Sequence, residues 1–383
     1  MPSPCTPQPL PPPAVLAYRG TGGGTGDIVV KSRRYLYLTL FVLAAIGAWT
    51  AYWFILAGQV RERTQAFIDQ QAAAGFEIAY TDFSIGGYPY RIEAEVDNLT
   101  VSAPRQPGKP AIAVPKLVVL GLPWNPNLVV ARIDGETVTR WTDARGDEQR
   151  ATFRAESTGI SVGLEAGRPK RFALSMDRPR LESSVLAGPV SAKVFEIHAR
   201  LLDGGPAPTA DGVAPTAPLS GEIAFDGEAV VLPPLPGGTL GNEITSFGYT
   251  FGLAGPPPRY LPGTAPRDMV AAWAQAGGTI ELTRGETRWG PLNSLVTGSF
   301  SVDDQMRPLG ALSGRIGGLE PLIDGAAAQG RMTPAQAQSI KKALGALGFI
   351  TKDAEGRVPF SLTFQDGRVS MGPVQLGELR PLF

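Results

Sequence analysis

Residues 90–97 read YRIEAEVD, and their alternation sets the fold class. Ile92, Ala94 and Val96 fall on one face of an extended chain, and Arg91, Glu93, Glu95 and Asp97 fall on the other. A period of two marks a strand with one apolar and one wet face, as in antiparallel sheet. The pattern recurs downstream. Phe195, Ile197, Ala199 and Leu201 alternate with Glu196, His198 and Arg200. Phe247, Tyr249, Phe251 and Leu253 share a face, as do Val358, Phe360, Leu362 and Phe364. Asp-Gly pairs at Asp134, Asp203, Asp226 and Asp366 read as turns between strands. The 47 glycines and 36 prolines, in a chain that is 43% hydrophobic, fit many turns between short strands rather than disorder.

Upstream lies YLYLTLFVLAAIGAWTAYWFIL, Tyr35 to Leu56, with no charged residue. About 22 residues at ~1.5 Å each span a ~30 Å hydrocarbon layer. Lys31, Arg33 and Arg34 precede it, and Tyr35, Tyr37, Trp49, Tyr52 and Trp53 lie toward its ends, where amphipathic rings favour the headgroup zone. An uncleaved anchor over 31–58 is expected. The positive-inside tendency places the N-terminus in the cytoplasm and the domain in the periplasm, with the anchor in the inner membrane. A cleaved signal peptide has a shorter apolar core and a small-residue end that Leu56-Ala57-Gly58 matches poorly. Residues 1–30 are rich in proline and glycine and read as a disordered cytoplasmic tail. Its glycine cluster lacks the GK[ST] of a phosphate loop. Residues 59–75 favour helix and read as a stalk capped by Gly75, with Val60, Phe67, Ile68 and Ala74 as a docking stripe.

The rest, 76–383, is expected to be a β-rich domain with few helices. These are Pro266 to Ala276, stopping at Gly277-Gly278; Gly318 to Ala328; and Thr333 to Leu347, with Thr333 as N-cap and Gly348 as its end. Composition marks a loop near 204–218. A weak repeat, Gly285 to Gly290-Pro291 and Gly367 to Gly372-Pro373, reads either as a hairpin unit or as Gly-Pro ending strands. The expected fold is mainly β with a few helices: an N-terminal transmembrane helix, then an extended, curved antiparallel β-sheet or sandwich.

The 35 basic and 35 acidic residues cancel, which leaves no electrostatic footprint for nucleic acid. The single cysteine, Cys5, lies in the tail, so the outer domain has no disulfide, and its place before the apolar run excludes lipoprotein acylation. His198 is the single histidine and sits on the polar side of its strand. Ser-His-Asp triads, Cys-His pairs and His-based zinc sites would each require it. Asp303-Asp304 read as turn acids, and Trp124, Trp141, Trp273 and Trp289 as core residues. Asn98-Leu99-Thr100 has the form of a glycosylation sequon. No catalytic, cofactor or metal residue is assigned, and no enzyme is expected.

The stretch AAAGFEIAYTDFSIGGYPYRIEAEVDNLTVSAP, following the anchor, resembles the start of an uncharacterised Gram-negative family, domain of unknown function 2125. Gly75, Phe76, Ile78, Tyr80 and the turn Gly87, Tyr88, Pro89 and Arg91 carry the likeness. RWGPLNSLVTGSFSVD and FQDGRVSMGPVQLG are similar to that family too, so the resemblance runs from Tyr35 to Leu376. The family has no established activity and implies no mechanism. In architecture the chain is more distantly similar to AsmA-like envelope proteins, whose curved sheets are thought to hold acyl chains. Two expectations follow. One is a protein handling lipid or another amphiphile in an apolar groove lined by Phe247, Tyr249, Phe251, Phe360, Leu362 and Phe364. The other is a closed sandwich that scaffolds other envelope proteins. The expected partners are the bilayer, and a lipid ligand or envelope proteins. A groove and a core need the same alternation, so the sequence leaves both open.

Overall fold

The computed structural model describes residues 26–202, 219–234, 239–256, 265–330, 332–371 and 374–382. Most of the expected tail, the loop at 204–218, the Asp203-Gly204 pair and Gly372-Pro373 lie outside them. The chain divides into two compact units, Met1–Ile55 and Leu56–Phe383.

Helix α1 spans Gly26–Ala73 without a break, so anchor and stalk are one helix. It takes in residues 26–30, which the tail was expected to hold. Its stretch Arg33–Ala73 is apolar enough to cross a membrane. Gly75 ends it in a Schellman motif: Phe76 N–H donates to Gln71 O and Gly75 N–H to Ala72 O, with Gly75 at φ +93°. On the stalk, Val60, Thr64, Ile68 and Gln71 are half-buried at helical spacing, while Phe67 faces solvent. The docking stripe therefore runs through Thr64 and Gln71 in place of Phe67 and Ala74.

The strands follow in chain order. β1 is Glu77–Ala79, β2 Asp82–Gly86, β3 Ile92–Ser102, β4 Ala111–Leu122 and β5 Asn125–Asp134. β6 is Thr137–Thr142, β7 Glu148–Arg154, β8 Ser157–Glu165, β9 Arg168–Asp177 and β10 Arg180–Ser183. β11 (Val190–Ser191), β12 (Val194–Leu201), β13 (Leu219–Val231) and β14 (Glu243–Ala254) lead to α2, Pro266–Gln275. β15 (Thr279–Trp289), β16 (Leu292–Val302) and β17 (Pro308–Gly317) lead to α3, Glu320–Ala328, and α4, Pro334–Thr351. β18 (Val358–Gln365), β19 (Arg368–Met371) and β20 (Val374–Glu378) complete one sheet.

Every pairing is antiparallel. Segments β1 and β2 run on end to end, as do β5 and β6, β7 and β8, β9 and β10, and β11 and β12. Among the described residues the resulting fifteen passes each pair with their neighbours in chain order, so the sheet is a simple meander. Type I′ hairpins close two turns: Ala166-Gly167 and Asp366-Gly367 all have positive φ between the paired ends Glu165↔Arg168 and Gln365↔Arg368.

A crease crosses nine consecutive passes. It begins at the break between β1 and β2, opposite Asn98 at φ +51°. Asn98 faces Pro115, since Asp97 pairs with Lys116 and Leu99 with Val114. Proline has no N–H to lose where the ladder is already interrupted. The line continues through Gly135 at φ +93°, residues 155–156, Arg178 at φ +44°, residues 192–193 and Ala229 at φ +47°. It ends at Thr245, where the β14–β15 register shifts. Each interruption adds local bend to its strand, and aligned they fold the sheet along one line. Asp134-Gly135 is thus part of this crease, not a hairpin turn. Asp226-Gly227 lies inside β13, paired with Gly248 and Phe247.

The helices sit at strand ends. α2 ends in a second Schellman motif, Gly278 N–H to Trp273 O and Gly277 N–H to Ala274 O. Thr333 caps α4 reciprocally with Gln336: Gln336 N–H donates to Thr333 Oγ1 at 3.2 Å, and Thr333 N–H to Gln336 Oε1 at 2.8 Å. Gly348 does not end α4, which runs to Thr351. A helical glycine costs only ~1 kcal/mol, and the turn after Lys352 supplies the stop. Asp324 of α3 pairs with Lys341 of α4. The expected repeat has no common structure, because Gly285 is mid-strand whereas Gly367 is a turn residue at φ +72°.

Candidate functional site

Paired residues of an antiparallel sheet share a face, so register alone traces what each face carries. One row starts at Ile85 and passes through Ala94, Val119, Ala131, Ile160 and Leu174. It continues through Ile197, Phe225, Tyr249, Gly285, Val296, Gly314 and Phe360. A second row, two residues away, runs from Ile92 through Val129, Val162, Phe172, Ile223, Phe251 and Leu312 to Leu362. On the other side of the first, Phe83, Val96, Leu117 and Ile133 start a third row, which resumes with Met176, Phe195, Gly227, Phe247 and Ile316 and ends at Val358. None of these residues is charged. With ~4.8 Å between strands and ~7 Å between rows, the track is about 58 Å long and 14 Å wide along the sheet.

The six residues singled out from the sequence all lie on this face. Phe247, Tyr249 and Phe251 stand side by side on β14, with Tyr249 stacked on Phe251 at 6.2 Å and tilted toward Phe247 at 6.1 Å. Phe195 and Phe225 add edge contacts from the neighbouring strands. Phe360, Leu362 and Phe364 lie four passes away on β18, where Phe364 meets Phe300 at 5.6 Å. All six are half-buried. They are neither exposed nor sealed, since each is shielded by its row neighbours. Only Leu219 and Val118 are fully buried large side chains among the described residues. The twenty described strands form one sheet, so no second sheet lies across the apolar face among the described residues.

Sequence reasoning missed the glycines of the track. A Cβ at Gly310, Gly314 or Gly298 would collide with the backbone oxygens of Ser299, Leu295 and Ala311. Only glycine fits there, so β16 and β17 can tilt toward each other and curve the sheet. At Gly227 the missing Cβ leaves the room that the Phe247 ring takes. Near the centre, Tyr249 Oη and Thr287 Oγ1 satisfy each other at 2.5 Å.

The opposite face is a ladder of ion pairs and hydrogen bonds. Lys116 meets Glu95 at 2.7 Å, Arg200 meets Glu222 at 3.0 Å, Arg284 meets Asp226 at 2.5 Å, and Ser175 donates to Glu196 at 3.0 Å. The hydrogen bond from Lys116 to Glu95 outweighs its desolvation and raises the ammonium above its ordinary value. His198 stands on this face, 3.4 Å from Glu196. Among the described residues no group of three or more His, Cys, Asp or Glu is placed to hold a metal. Asp303 is an engaged turn acid: its Oδ1 accepts from the N–H groups of Gln305 and Arg307, and its Oδ2 from the Arg307 guanidinium. Asp353 repeats this with Glu355 and Arg357.

The turn at Gly87, Tyr88, Pro89 and Arg91 carries β2 into β3. Gly87 is at φ +93°, and its carbonyl accepts from the Tyr90 and Arg91 N–H groups. A Cβ there would strike Arg91. The side chain of Arg91 reaches Glu93 at 2.7 Å. Trp124 is 58% exposed rather than core.

A membrane-spanning type of helix joined to one large amphipathic antiparallel sheet defines the class of this protein. The chain matches, over residues 53–380, the family described as an uncharacterized protein conserved in bacteria (DUF2125), and it belongs to that family. No curated protein and no solved structure matches it.

Proposed function

We propose that this is a non-enzymatic protein of the inner membrane whose periplasmic sheet holds the acyl chains of a lipid or similar amphiphile along its apolar face. The observation that carries the reading is the track of three registered, uncharged rows, most of whose large side chains remain half-buried. Where no protein layer covers it, an apolar face is costly in water. An acyl chain laid along it removes that cost, and each buried methylene is worth ~0.8 kcal/mol. The curvature made by Gly298, Gly310 and Gly314 cups the face rather than leaving it flat. The ion-pair ladder behind it keeps the other face in water. The orientation rests on Lys31, Arg33 and Arg34 ahead of the uncharged run.

The test places a benzophenone amino acid at Leu174 or Phe251, on the track, and at Ser175 or Thr250, on the reverse face. Irradiation of cells expressing the full chain is followed by mass spectrometry of the adducts. Lipid adducts at the first pair and not at the second are the expected result. Adducts to protein alone at Leu174 and Phe251 would instead support a scaffold whose apolar face docks another envelope protein.

A further inference from the structure

The first two hairpins at one end of the sheet carry an aromatic tip. Tyr88 and Tyr90, in the β2–β3 turn, are 47% and 73% exposed. Leu122 and Trp124, in the neighbouring β4–β5 turn, are 37% and 58% exposed. Both turns lie at the same end, because Ile92 pairs with Gly121. The sequence is uncharged from Phe83 to Tyr90 and again from Leu117 to Ala131. The next turn at that end is of a different kind, with Glu165, Arg168, Lys170 and Arg171 on it or beside it. A patch of exposed rings without charge is rare on a surface that meets only water.

The position of this tip follows from the fold of the compact unit that begins at Leu56. The Schellman motif at Gly75 reverses the chain, and β2 returns along α1, since the Arg61 guanidinium lies 5.7 Å from the Phe83 ring centre. The lengths agree: twelve helical residues from Arg61 to Ala73 rise ~18 Å, and seven extended residues from Phe76 to Phe83 cover ~23 Å. β2 runs on to Gly86, a further ~10 Å, and the turn that carries Tyr88 lies beyond its end. Even a strand tilted by 45° then reaches the level of Leu56, the last residue of the uncharged run.

We infer that the two hairpin tips dip into the headgroup zone of the same bilayer that α1 spans, with Tyr88, Tyr90 and Trp124 as interfacial anchors. Tyrosine and tryptophan suit that zone because the ring is apolar and the O–H or N–H meets water. Arg91, bonded to Glu93, marks where the polar surface resumes. The contact would fix the sheet by a second point and seat the first strands of the track, β2 to β4, at the bilayer surface. It does not depend on what the track carries.

The test uses the full chain with Cys5→Ser, so that introduced cysteines are the sole thiols. An environment-sensitive fluorophore is attached at Tyr90→Cys, at Trp124→Cys, and at Ala144→Cys in the β6–β7 turn of the opposite end. The protein is reconstituted in vesicles of phosphatidylethanolamine and phosphatidylglycerol bearing a headgroup nitroxide. Labels at 90 and 124 should be quenched several-fold more than the label at 144. Should Tyr90→Cys melt early by circular dichroism, Tyr88→Cys takes its place. Equal quenching at all positions in folded protein overturns the inference. Quenching of the tips without lipid adducts at Leu174 would leave it standing and count only against the lipid-handling proposal.

Discussion

Phe251→Asp puts a charge in the middle of the track and separates an open face from a closed core by magnitude. Phe251 stacks on Tyr249 at 6.2 Å and meets Phe225 edge-on at 6.4 Å. Losing two aromatic pairs costs about 2 kcal/mol. Losing a half-buried side chain adds about 1 kcal/mol more. The new carboxylate reaches water from the open side, so its desolvation adds little. The total, about 3 kcal/mol, is within the 5–15 kcal/mol that a domain can spare, roughly. It should lower the melting temperature by about 5 °C. In a sealed core the truncation alone would cost about 3–5 kcal/mol, and an unpaired buried charge several more. A hydrated carboxylate also holds off about four methylenes of any chain lying on the track, which is ~3 kcal/mol or about a hundredfold in affinity. Thermal melts of detergent-solubilised protein and native mass spectrometry for bound lipid measure the two effects. Folded variant with lipid lost is the expected outcome. Complete unfolding, with no lipid on the parent protein, would refute the open face.

Two further outcomes are expected. Gly227→Val would place a Cβ 2.5 Å from the Phe247 ring. It should destabilise the sheet by about 1–3 kcal/mol through displacement of Phe247, read as a lower denaturant midpoint, whereas Gly159→Ala, with open space at its Cβ, should not crowd a neighbour. The Arg357 N–H and then its guanidinium hold the Asp353 carboxyl below its ordinary value. Its contribution is therefore present above the ordinary carboxylate range and is lost as pH falls through the lowered value. Asp353→Asn should flatten the acid limb of the melting temperature against pH, and an unchanged limb would contradict the assignment.

Alternation made the strands legible because one face of the sheet is wet over most of its length. Ile92, Ala94 and Val96 could be assigned to a common side without knowing their partners. Caps were legible for the same local reason, as Thr333, Gly75 and Gly277 show. What failed was any feature that depends on a neighbouring strand. Asp226-Gly227 reads as a turn, yet its glycine is needed for the ring that Phe247 lays across it. Asp134-Gly135, Asn98 and Pro115 look like unrelated local signals and become one crease only when the register aligns them. Phe67 looks like the anchor of a docking stripe, but helical phase turns it to solvent and gives the position to Thr64 and Gln71. Trp124 reads as core by hydrophobicity alone, and its place at a hairpin tip exposes it. Phe247, Tyr249, Phe251, Phe360, Leu362 and Phe364 share one face, as their alternation implies, but alternation reads the same for an open face and for a packed interior.

The meander has a consequence for how the molecule comes into being. Each pass finds its partner in the stretch of chain made just before it, so no segment must wait for a distant one. Closure entropy stays small at every step except across residues 202–218 and where α2, or α3 with α4, intervenes between strands. The sheet can therefore grow at one advancing edge in the order in which the chain is synthesised. Interactions that reach no further than the next pass or the one after it also make stability nearly additive along the sheet, as in repeat proteins. Removing the last strands would shorten such a molecule without dissolving it.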